Sequence, residues 1–345
     1  MNPAPPLCSV IIVNFNGKHL LHECLTAVLA QSYGRFEVIV VDNASTDGSG
    51  AYIESAFPGV TLVREKSNRG FAGGNNEGVR HAQGDLIVLL NNDTIVADGW
   101  LQALVDAVAP DSVAIAGSLI VTEGIPDRYY EKNGTLNFLG HNIMRKFERP
   151  ENTFFAGGAS LIYKRSILGE PFDEEYFLYI EDVYLSMRAR FLGWGVVQSP
   201  ASRVRHLGRE TTRKQRASRM TMYQERNRLL TMTIFFGTQT FIKLIPLYLL
   251  NACAKLGGAL VSRRYSFAGL IRAYAWLVCH PAVIARKRRT IRDAARVPER
   301  DVTTWMTSDL TNGEGAAGRW INTLAHLYFR VMGIRTLEDI PQGTR

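Results

Sequence analysis

The sequence predicts an α/β protein with a mostly parallel central sheet flanked by helices, followed by a mainly helical C-terminal region. Three observations support this fold class. Short β-branched segments alternate with amphipathic helical segments in the first third of the chain, which is the pattern of βαβ units. Several of these predicted strands end on clusters of polar residues. From residue 211 onward, long apolar and basic segments with helical periodicity replace the alternation.

The predicted elements of the first third follow one another in a regular order. A strand is expected in CSVIIVNFN and a helix in KHLLHECLTAVLAQS, because the apolar residues of the second segment recur at helical spacing. FEVIVVDNAS and DLIVLLNNDT are each expected to contain a buried strand, and GFAGGNNEGVRHA to enter a helix between them. Since helices follow these strands, the strand ends should share one edge of the sheet, where such sheets bind ligands.

The rest of the chain divides into a less regular middle and a helical end. The middle is expected to contain a strand in FFAGGASLIYK, a helix in EDVYLSMRARFLGW and a strand that ends at His206. We therefore predict one α/β domain at residues 1–210 and a helical, basic, amphipathic region at residues 211–345.

Cysteine usage and the N-terminus bear on the compartment. The four cysteines are far apart in the sequence and form no CxxC pair, which argues against a disulfide framework and against a zinc site. The N-terminal segment has no basic residues before its first apolar run, so no secretory signal is expected. These features predict a reducing, cytoplasmic location.

The net charge of +8 is unevenly distributed. Residues 203–296 hold 20 Lys/Arg and 3 Asp/Glu, a net charge of +17, and the rest of the chain has a net charge of −9. The same region contains the apolar segment Leu229–Leu250, interrupted by Lys243 and Pro246. Apolar faces with interleaved basic residues are typical of helices on an anionic membrane surface. A helical hairpin with merely solvated basic residues is the alternative, and the interruptions disfavour a membrane span.

The polar strand ends offer the first candidate chemistry. Asp42 ends a buried strand, and its carboxylate can accept the imide N–H of a uracil or thymine ring. Asp93 can supply a hard oxygen ligand to Mg²⁺ or Mn²⁺ on a diphosphate, and Asn92 an amide oxygen or a hydrogen bond to ribose. Taken singly, these residues are better explained as turn or helix-cap residues.

Two further positions are candidates for chemistry. Glu181 and Asp182 open a predicted helix, where capping is the routine role of an acid. An ionised carboxylate is also what deprotonation of a sugar hydroxyl requires. His206 follows a strand, and a lone histidine is more often structural than a ligand.

The order and spacing of these signals resemble a known family. SVIIVNFNGKHLLHECLTAVLAQSYGRFEVIVVDNASTDGS, NRGFAGGNNEG, DLIVLLNNDT and FDEEYFLYIEDVYLSMRARFLGW followed by VRHLG are similar to family 2 inverting glycosyltransferases of the GT-A fold. The similarity covers roughly residues 7–210 and points to the bacterial rhamnosyltransferase-like branch. That branch acts in the assembly of polysaccharides and O-antigens.

The resemblance implies roles for individual residues. Asp182 would be the catalytic base, with Glu181 beside it in the acceptor pocket. Asp93 would be the main ligand of a Mg²⁺ or Mn²⁺ ion, and His206 would complete the metal site or touch the diphosphate. Arg203, Arg205 and Arg209 can also reach the diphosphate or simply contribute surface charge. The residues that would line the nucleotide-sugar site are Asn14, Asn16, Asp42, Asn68, Gly70, Asn92, Gly157 and Gly158.

Two positions depart from the pattern of the family. Asn91 stands where the metal motif often begins with Asp, which leaves one carboxylate for the metal. Tyr184 stands where an acid often follows the Glu-Asp pair, so the preference for an acceptor is not implied.

The implied function is transfer of L-rhamnose from dTDP-L-rhamnose to a saccharide acceptor, lipid-linked in such pathways, in cell-surface polysaccharide synthesis. The implied partners are a pyrimidine-nucleotide sugar, this acceptor and an anionic membrane surface, with the enzyme peripheral on the inner face of the cell membrane. Another UDP- or dTDP-sugar, such as galactofuranose, glucose or GlcNAc, is an open alternative. A sugar-nucleotidyltransferase is disfavoured because NFNGKHLL is a poor phosphate-binding loop. Nucleic-acid binding is disfavoured because the basic residues flank apolar helices.

Overall fold

The computed structural model describes residues 4–122, 133–145, 149, 151–207, 217–262, 265–313 and 315–341. Strands and helices alternate as far as β4, consecutive strands then occur between the helices, and after the last strand the described elements are helices. In chain order they are β1 (Cys8–Asn14), α1 (Lys18–Leu29), β2 (Phe36–Asp42), α2 (Ser49–Ala56), β3 (Thr61–Arg64), α3 (Gly70–His81), β4 (Leu86–Asn91), β5 (Thr94–Val96), α4 (Trp100–Val108), β6 (Val113–Thr122), β7 (Asn133–Leu136), β8 (Asn142–Arg145), β9 (Ser160–Lys164), α5 (Arg165–Leu168), α6 (Glu181–Phe191), β10 (Gly195–His206), α7 (Ala217–Phe235), α8 (Thr238–Val261), α9 (Phe267–Cys279), α10 (Pro281–Ala294), α11 (Glu299–Thr303) and α12 (Gly315–Val331).

The chain forms two compact units. The first unit takes in residues 1–131, 150–189 and 194–214, and the second the remaining residues, including 132–149. The sequence placed one boundary after residue 210, without assigning 132–149 to the later region. That boundary stays a prediction.

The first unit is built on an eight-stranded sheet with the order β3-β2-β1-β4-β9-β6-β10-β5. β3, β2, β1, β4, β6 and β10 run in one direction, and β9 and β5 run against their neighbours. The predicted mostly parallel sheet is therefore confirmed. The segment DLIVLLNNDT differs from the single strand that was expected, because β4 ends at Asn91 and β5 begins at Thr94.

The register of the sheet brings the polar strand ends together. Asn14 lies opposite Asp42, and Val13 lies opposite Asn91, so β1, β2 and β4 end at the same level. One side of the sheet is covered by α1 and α4, whose apolar residues, such as Leu21 and Trp100, share a core cluster with Val10 and Ile12 of β1. This packing follows from the helical spacing of the apolar residues in α1. The candidate site is built at the edge where β1, β2 and β4 end.

The second unit is mainly helical and carries one hairpin, β7–β8. Phe138 follows β7 and packs its ring at 5.7 Å from Phe236 and 4.6 Å from Phe329. Its carbonyl accepts a 2.9 Å hydrogen bond from the Tyr248 hydroxyl of α8. The helical C-terminal region predicted from the sequence is confirmed, and the hairpin is tied into it.

Candidate functional site

The asparagines at the ends of β1 and β4 bind each other. Asn92 Nδ2 donates to Asn14 Oδ1 at 2.8 Å, and Asn14 Nδ2 donates to Ser45 Oγ at 3.2 Å. A Cβ atom at Gly17 would collide with both amide groups, so glycine is needed there. Asn14 is fully buried. These two predicted site residues therefore hold neighbouring strands together, and their contact with a nucleotide stays a prediction.

Asp42 and Asn16 are organised by the turn that follows β2. Asp42 Oδ1 accepts from the Ser45 backbone N–H at 3.1 Å. Asn16 has a left-handed backbone, with φ of 52°, and its Oδ1 accepts from the Thr46 N–H at 2.7 Å. Its own N–H donates to Ser45 Oγ at 2.9 Å. Ser45, which the sequence analysis did not single out, thus links the three predicted residues Asn14, Asn16 and Asp42.

Asn68 and Gly70 lie together around Asn43. Asn43 Nδ2 donates to Asn68 Oδ1 at 3.1 Å and to the Gly70 carbonyl at 2.9 Å, and Asn43 Oδ1 accepts from the Arg69 N–H. Asn43 is buried and joins the end of β2 to the start of α3. The sequence shows that Asn43 follows Asp42 at a strand end. It does not show that Asn43 binds a loop 25 residues further along the chain.

Asp93 and His206, the two predicted metal ligands, are brought together by the sheet. β5 pairs with β10 so that His206 lies opposite Thr94, and His206 Nε2 is 3.1 Å from Asp93 Oδ1. Asp93 is buried, and its carbonyl accepts from the Leu207 N–H at 2.9 Å. Although the buried His206 Nε2 lies this close to Asp93 Oδ1, the two atoms are not aligned for a hydrogen bond, and Nε2 makes none within the described part of the chain.

The donor set around Asp93 fits a divalent cation. A carboxylate oxygen and an imidazole nitrogen that face each other without a hydrogen bond are suited to share a ligand. Asn91 Oδ1, two residues earlier, is also buried without a hydrogen-bond partner among the described residues. Buried polar atoms are rarely left in this state, so an ion at this position would account for them.

The acidic pair at the start of α6 has one oriented member and one unsatisfied member. Asp182 Oδ2 accepts from the Gly158 N–H at 3.0 Å, and Oδ1 accepts from the Val183 N–H at 2.8 Å. Glu181 is buried, and its Oε2 has no hydrogen-bond partner in the described ranges. Both carboxylates were predicted site residues, and the structure distinguishes them by their donors.

The environment separates the protonation of the two acids. Burial, together with the neighbouring charge of Asp182, raises the pKa of Glu181 to about 8. Burial also raises the pKa of Asp182, but the N–H groups of Gly158 and Val183 oppose this by stabilising its anion. We therefore assign the shared negative charge to Asp182 and the proton to Glu181, since the N–H groups of Gly158 and Val183 stabilise the Asp182 anion, whereas the only donor acting on Glu181 in its pKa is its own N–H.

Gly157 and Gly158 lie where the chain passes close to other segments, Gly158 beside Asp182 and Gly157 beside Ile120. A Cβ atom at Gly158 would lie 3.4 Å from Asp182 Cβ, and one at Gly157 would lie 2.9 Å from Ile120 Cδ1. Just after them, the Ala159 carbonyl accepts from the Asn91 N–H at 3.0 Å. This bond connects the segment between β4 and β5, which holds Asp93, to the segment whose Gly158 N–H orients Asp182.

A strained segment precedes the acidic pair. Phe177, Tyr179 and Ile180 have φ angles of 59°, 72° and 70°, in the left-handed region that β-branched residues such as isoleucine rarely adopt. The Phe177 carbonyl accepts from the Ala72 N–H at 3.2 Å, and a Cβ atom at Gly70 would collide with Phe177. The segment therefore joins the predicted nucleotide loop to the acids. Sequence reasoning missed it because φ angles are not visible in residue types other than glycine.

The predicted arginines are less well placed. Arg203 and Arg205 are exposed, and Arg205 Nη2 lies 3.9 Å from Glu23 Oε2. Arg209 lies outside the described residues. Tyr184 packs its ring 5.1 Å from that of Tyr176. None of these contacts assigns a role in binding.

A second cluster of metal-ligand types lies in the second unit. Asp309, His326 and Glu338 place their ligand atoms within 4.8 Å of one another. Glu338 already accepts hydrogen bonds from Thr307, Ser308 and Arg145, which lower its pKa to about 2 although burial opposes them. Its oxygens are satisfied by these donors, so this cluster is a weaker candidate for a metal than Asp93 and His206.

Comparisons with known proteins identify the class of the first unit. The fold is the GT-A fold of glycosyltransferases, which the S. aureus protein TarS, residues 1–349 in complex with UDP, shares with a TM-score of 0.54 at 14% identity. That alignment covers 94% of this chain and 90% of the other. Mannosyltransferase PcManGT from Pyrobaculum calidifontis, in complex with GDP-Man and Mn²⁺, aligns with a TM-score of 0.51 at 21% identity, over 85% of this chain and 86% of that one.

The sequence gives the family of this domain. Residues 9–172 match the model of glycosyl transferase family 2 and form a domain of that family. Over 250 residues the chain is 23% identical to the Mycobacterium tuberculosis N-acetylglucosaminyl-diphospho-decaprenol L-rhamnosyltransferase. This alignment covers 63% of the present chain and 81% of the other protein. The chain spans 53%, 40% and 17% of the length of three other curated relatives. Residues 9–172, which match the family model, do not include Glu181, Asp182 or His206.

Proposed function

We propose that the protein is a metal-dependent inverting glycosyltransferase that moves a sugar from a pyrimidine-nucleotide donor to a saccharide acceptor. One observation carries the proposal. The unbonded pair Asp93–His206 is connected, through the Asn91–Ala159 hydrogen bond and the adjoining Gly158 N–H, to an Asp182 carboxylate that is held for use as a base. The two N–H donors hold the Asp182 carboxylate in one orientation, which suits transfer of a proton from a hydroxyl group.

The proposed donor site follows from the strand ends. Asp93 and His206 would hold the cation, which when bound neutralises the charge of the nucleoside diphosphate as it leaves. Asp42 would accept the imide N–H of the base, and Asn16 is one of the residues that line a cleft of about 770 Å³. The hydrogen bonds of Ser45 and Asn43 keep these elements in place before the donor binds, which reduces the reorganisation needed on binding.

The proposed chemistry is a single displacement. Asp182 takes the proton of an acceptor hydroxyl while that oxygen forms a bond to the anomeric carbon, and the bond from that carbon to the diphosphate oxygen breaks. Attack from the face opposite the leaving group inverts the configuration. Keeping Glu181 protonated prevents two adjacent buried anions, and this leaves Asp182 as the group that accepts the proton.

Donor and acceptor are proposed at a finer level by analogy. The rhamnosyltransferase relative, whose name includes a diphospho-decaprenol-linked sugar, supports L-rhamnose as donor sugar and a lipid-linked saccharide as acceptor. The TarS complex with UDP supports a pyrimidine nucleotide, whereas PcManGT was solved with GDP-Man. The Mn²⁺ in that complex supports Mn²⁺ or Mg²⁺ here. A lipid-linked acceptor would place the enzyme at the inner face of the cell membrane.

A donor screen tests the function, and two substitutions test the metal site. Thermal shift with dTDP-L-rhamnose, other dTDP- and UDP-sugars and GDP-mannose, with and without Mn²⁺ or Mg²⁺, should give the largest metal-dependent shift with a pyrimidine donor. Asp93→Ala should abolish that dependence, while Asn91→Ala should weaken it, because Asp93 supplies the charge. No shift with any nucleotide sugar would overturn the function. Equal effects of the two substitutions would show that the metal is held elsewhere.

A further inference from the structure

Helix α12 carries a stripe of large apolar side chains on its exposed face. The stripe consists of four residues three or four positions apart: Trp320, Leu324, Leu327 and Val331. Their exposed fractions are 68%, 56%, 58% and 72%. The residues that α12 buries lie on the opposite face of the helix: Gly318, Asn322, Ala325 and Phe329. Soluble proteins rarely leave so continuous an apolar stripe open, so it marks an interaction surface.

Helix α8 repeats this arrangement and is attached to α12. Its exposed apolar residues include Ile242, Ile245, Leu249 and Leu260. Tyr328 of α12 donates a hydrogen bond to the Lys243 carbonyl, and Lys243 Nζ donates to the Met332 carbonyl at 2.6 Å. Among the described helices, α8 is by length and composition the one that could by itself cross a membrane.

The buried face of α8 argues against a full crossing. Lys255 Nζ lies 2.6 Å from Glu225 Oε2, and the Tyr248 hydroxyl donates to the Phe138 carbonyl. Leu244 lies on the same face and is fully buried. One side of α8 is thus fixed to the protein by charged and polar contacts, while the other side is apolar and open. A helix of this kind is suited to lie along an apolar boundary rather than to pass through it.

The charges next to these helices identify the boundary. Arg319 and Arg330 of α12 are exposed. Helix α10 is bonded to the start of α8, because Arg288 Nη2 donates to Thr238 Oγ1 at 3.1 Å, and α10 carries five basic residues against one acid, Asp293: Arg286, Lys287, Arg288, Arg289 and Arg292. Basic residues beside an exposed apolar face complement the surface of an anionic bilayer, where each is attracted to lipid headgroups. A second copy of this chain would bring the same positive charges together, which disfavours self-association through this face.

We propose that α12 and the exposed face of α8 dock in the headgroup region of an anionic phospholipid bilayer, with Trp320, Leu324, Leu327 and Val331 inserted among the lipids. This inference rests on the proposed function, since a lipid-linked acceptor gives the enzyme a reason to be held at a membrane. The docking itself is independent of donor and metal, so it can be measured without turnover.

Vesicle binding tests the proposal. The full chain should sediment with vesicles of phosphatidylglycerol and phosphatidylcholine, bind pure phosphatidylcholine much less, and be released by high salt. Leu324→Glu combined with Leu327→Glu should lower the affinity at least tenfold, because two anions would replace inserted side chains. The matched control is Leu29→Glu in α1, which changes an exposed leucine of the first unit and should leave binding unaltered.

Fluorescence and activity separate the outcomes. Emission of Trp320 should shift to the blue with anionic vesicles and be quenched by brominated lipid, and Trp320→Phe should remove this signal while retaining binding. The double variant should melt like wild type and give the same metal-dependent nucleotide-sugar shift. Wild type that stays off anionic vesicles would overturn the docking and leave the proposed function standing. Loss of self-association in the double variant, without vesicle binding, would assign the face to a second copy.

Discussion

The two compact units differ in the hydrogen bonding of their buried polar groups and in the exposure of their apolar side chains. In the first unit, buried polar atoms at the ends of β4 and β10 and at the start of α6 have no hydrogen-bond partner among the described residues: Asn91 Oδ1, His206 Nε2 and Glu181 Oε2. In the second unit, Ser218 Oγ is also unpaired within the described residues, but the buried acid Glu225 has a full set of partners. Glu225 binds Arg228 and Lys255, each at 2.6 Å, and accepts from the Tyr274 hydroxyl at 3.0 Å. The second unit instead exposes large apolar side chains on α8 and α12.

Both features are energetically unfavourable in the protein without a bound partner. An unsatisfied buried polar atom costs free energy unless a ligand supplies the missing partner. An exposed apolar stripe is likewise unfavourable until it is covered. This difference supports the proposal of a site for small polar ligands in the first unit and of a surface for an apolar partner in the second.

The largest effect that sharpens this comparison is expected at Asp182. Asp182→Asn keeps the shape of the side chain but removes its ability to take a proton, so turnover should fall about 10³-fold, corresponding to about 4 kcal/mol in activation free energy. Nucleotide-sugar binding, measured by thermal shift, should stay within a factor of about two. Asp98→Asn, at an exposed aspartate after β5, serves as the matched control and should keep full turnover. Unchanged turnover in Asp182→Asn would refute the assignment of the base.

The sequence could predict the strand ends but not the contacts between distant segments. Asn14, Asp42 and Asn91 were predictable because parallel strands that lead into helices end at one edge. The reversal of β9 and β5 was not, because a buried strand has the same composition in either direction. Ser45 and Asn43 resemble ordinary turn residues, and only the folded loops show what they bind.

The buried cluster of the second unit is expected to show the next largest effect. Glu225→Gln removes the anion and leaves Arg228 and Lys255 as buried cations without a counter-charge, which should lower the free energy of unfolding by about 3–5 kcal/mol. The matched control is Glu54→Gln. Glu54 pairs with Arg64 at 2.7 Å on the surface of the first unit, and losing such a pair should cost less than about 1 kcal/mol.

Denaturant unfolding measures both variants. The acidic side of the profile adds a second readout, because the pKa of Glu225 is lowered to about 2 by Arg228 and Lys255, although burial opposes this. Its contribution should be present above pH 4.5 and be lost as the pH falls toward 2, so the difference between wild type and Glu225→Gln should shrink in acid. Equal effects of the two substitutions at neutral pH would contradict the contrast drawn between buried and surface pairs.

The smallest effect is expected at Glu181, and it concerns the dependence of stability on pH. The pKa of Glu181 in the folded protein, about 8, lies above its ordinary value of 4.5, so the folded state binds a proton that the unfolded state releases. The stabilisation that this proton provides is present below pH 4.5 and is lost as the pH rises through 8.

Glutamine mimics the protonated acid at every pH. Glu181→Gln should therefore match wild type in melting temperature at pH 5 and exceed it by about 3 °C or more at pH 9. Glu23→Gln, at an exposed glutamate of α1, should follow wild type at both values. If the melting temperatures of Glu181→Gln and wild type stay parallel from pH 5 to 9, Glu181 is already ionised in the folded protein, and the division of charge with Asp182 must be reversed.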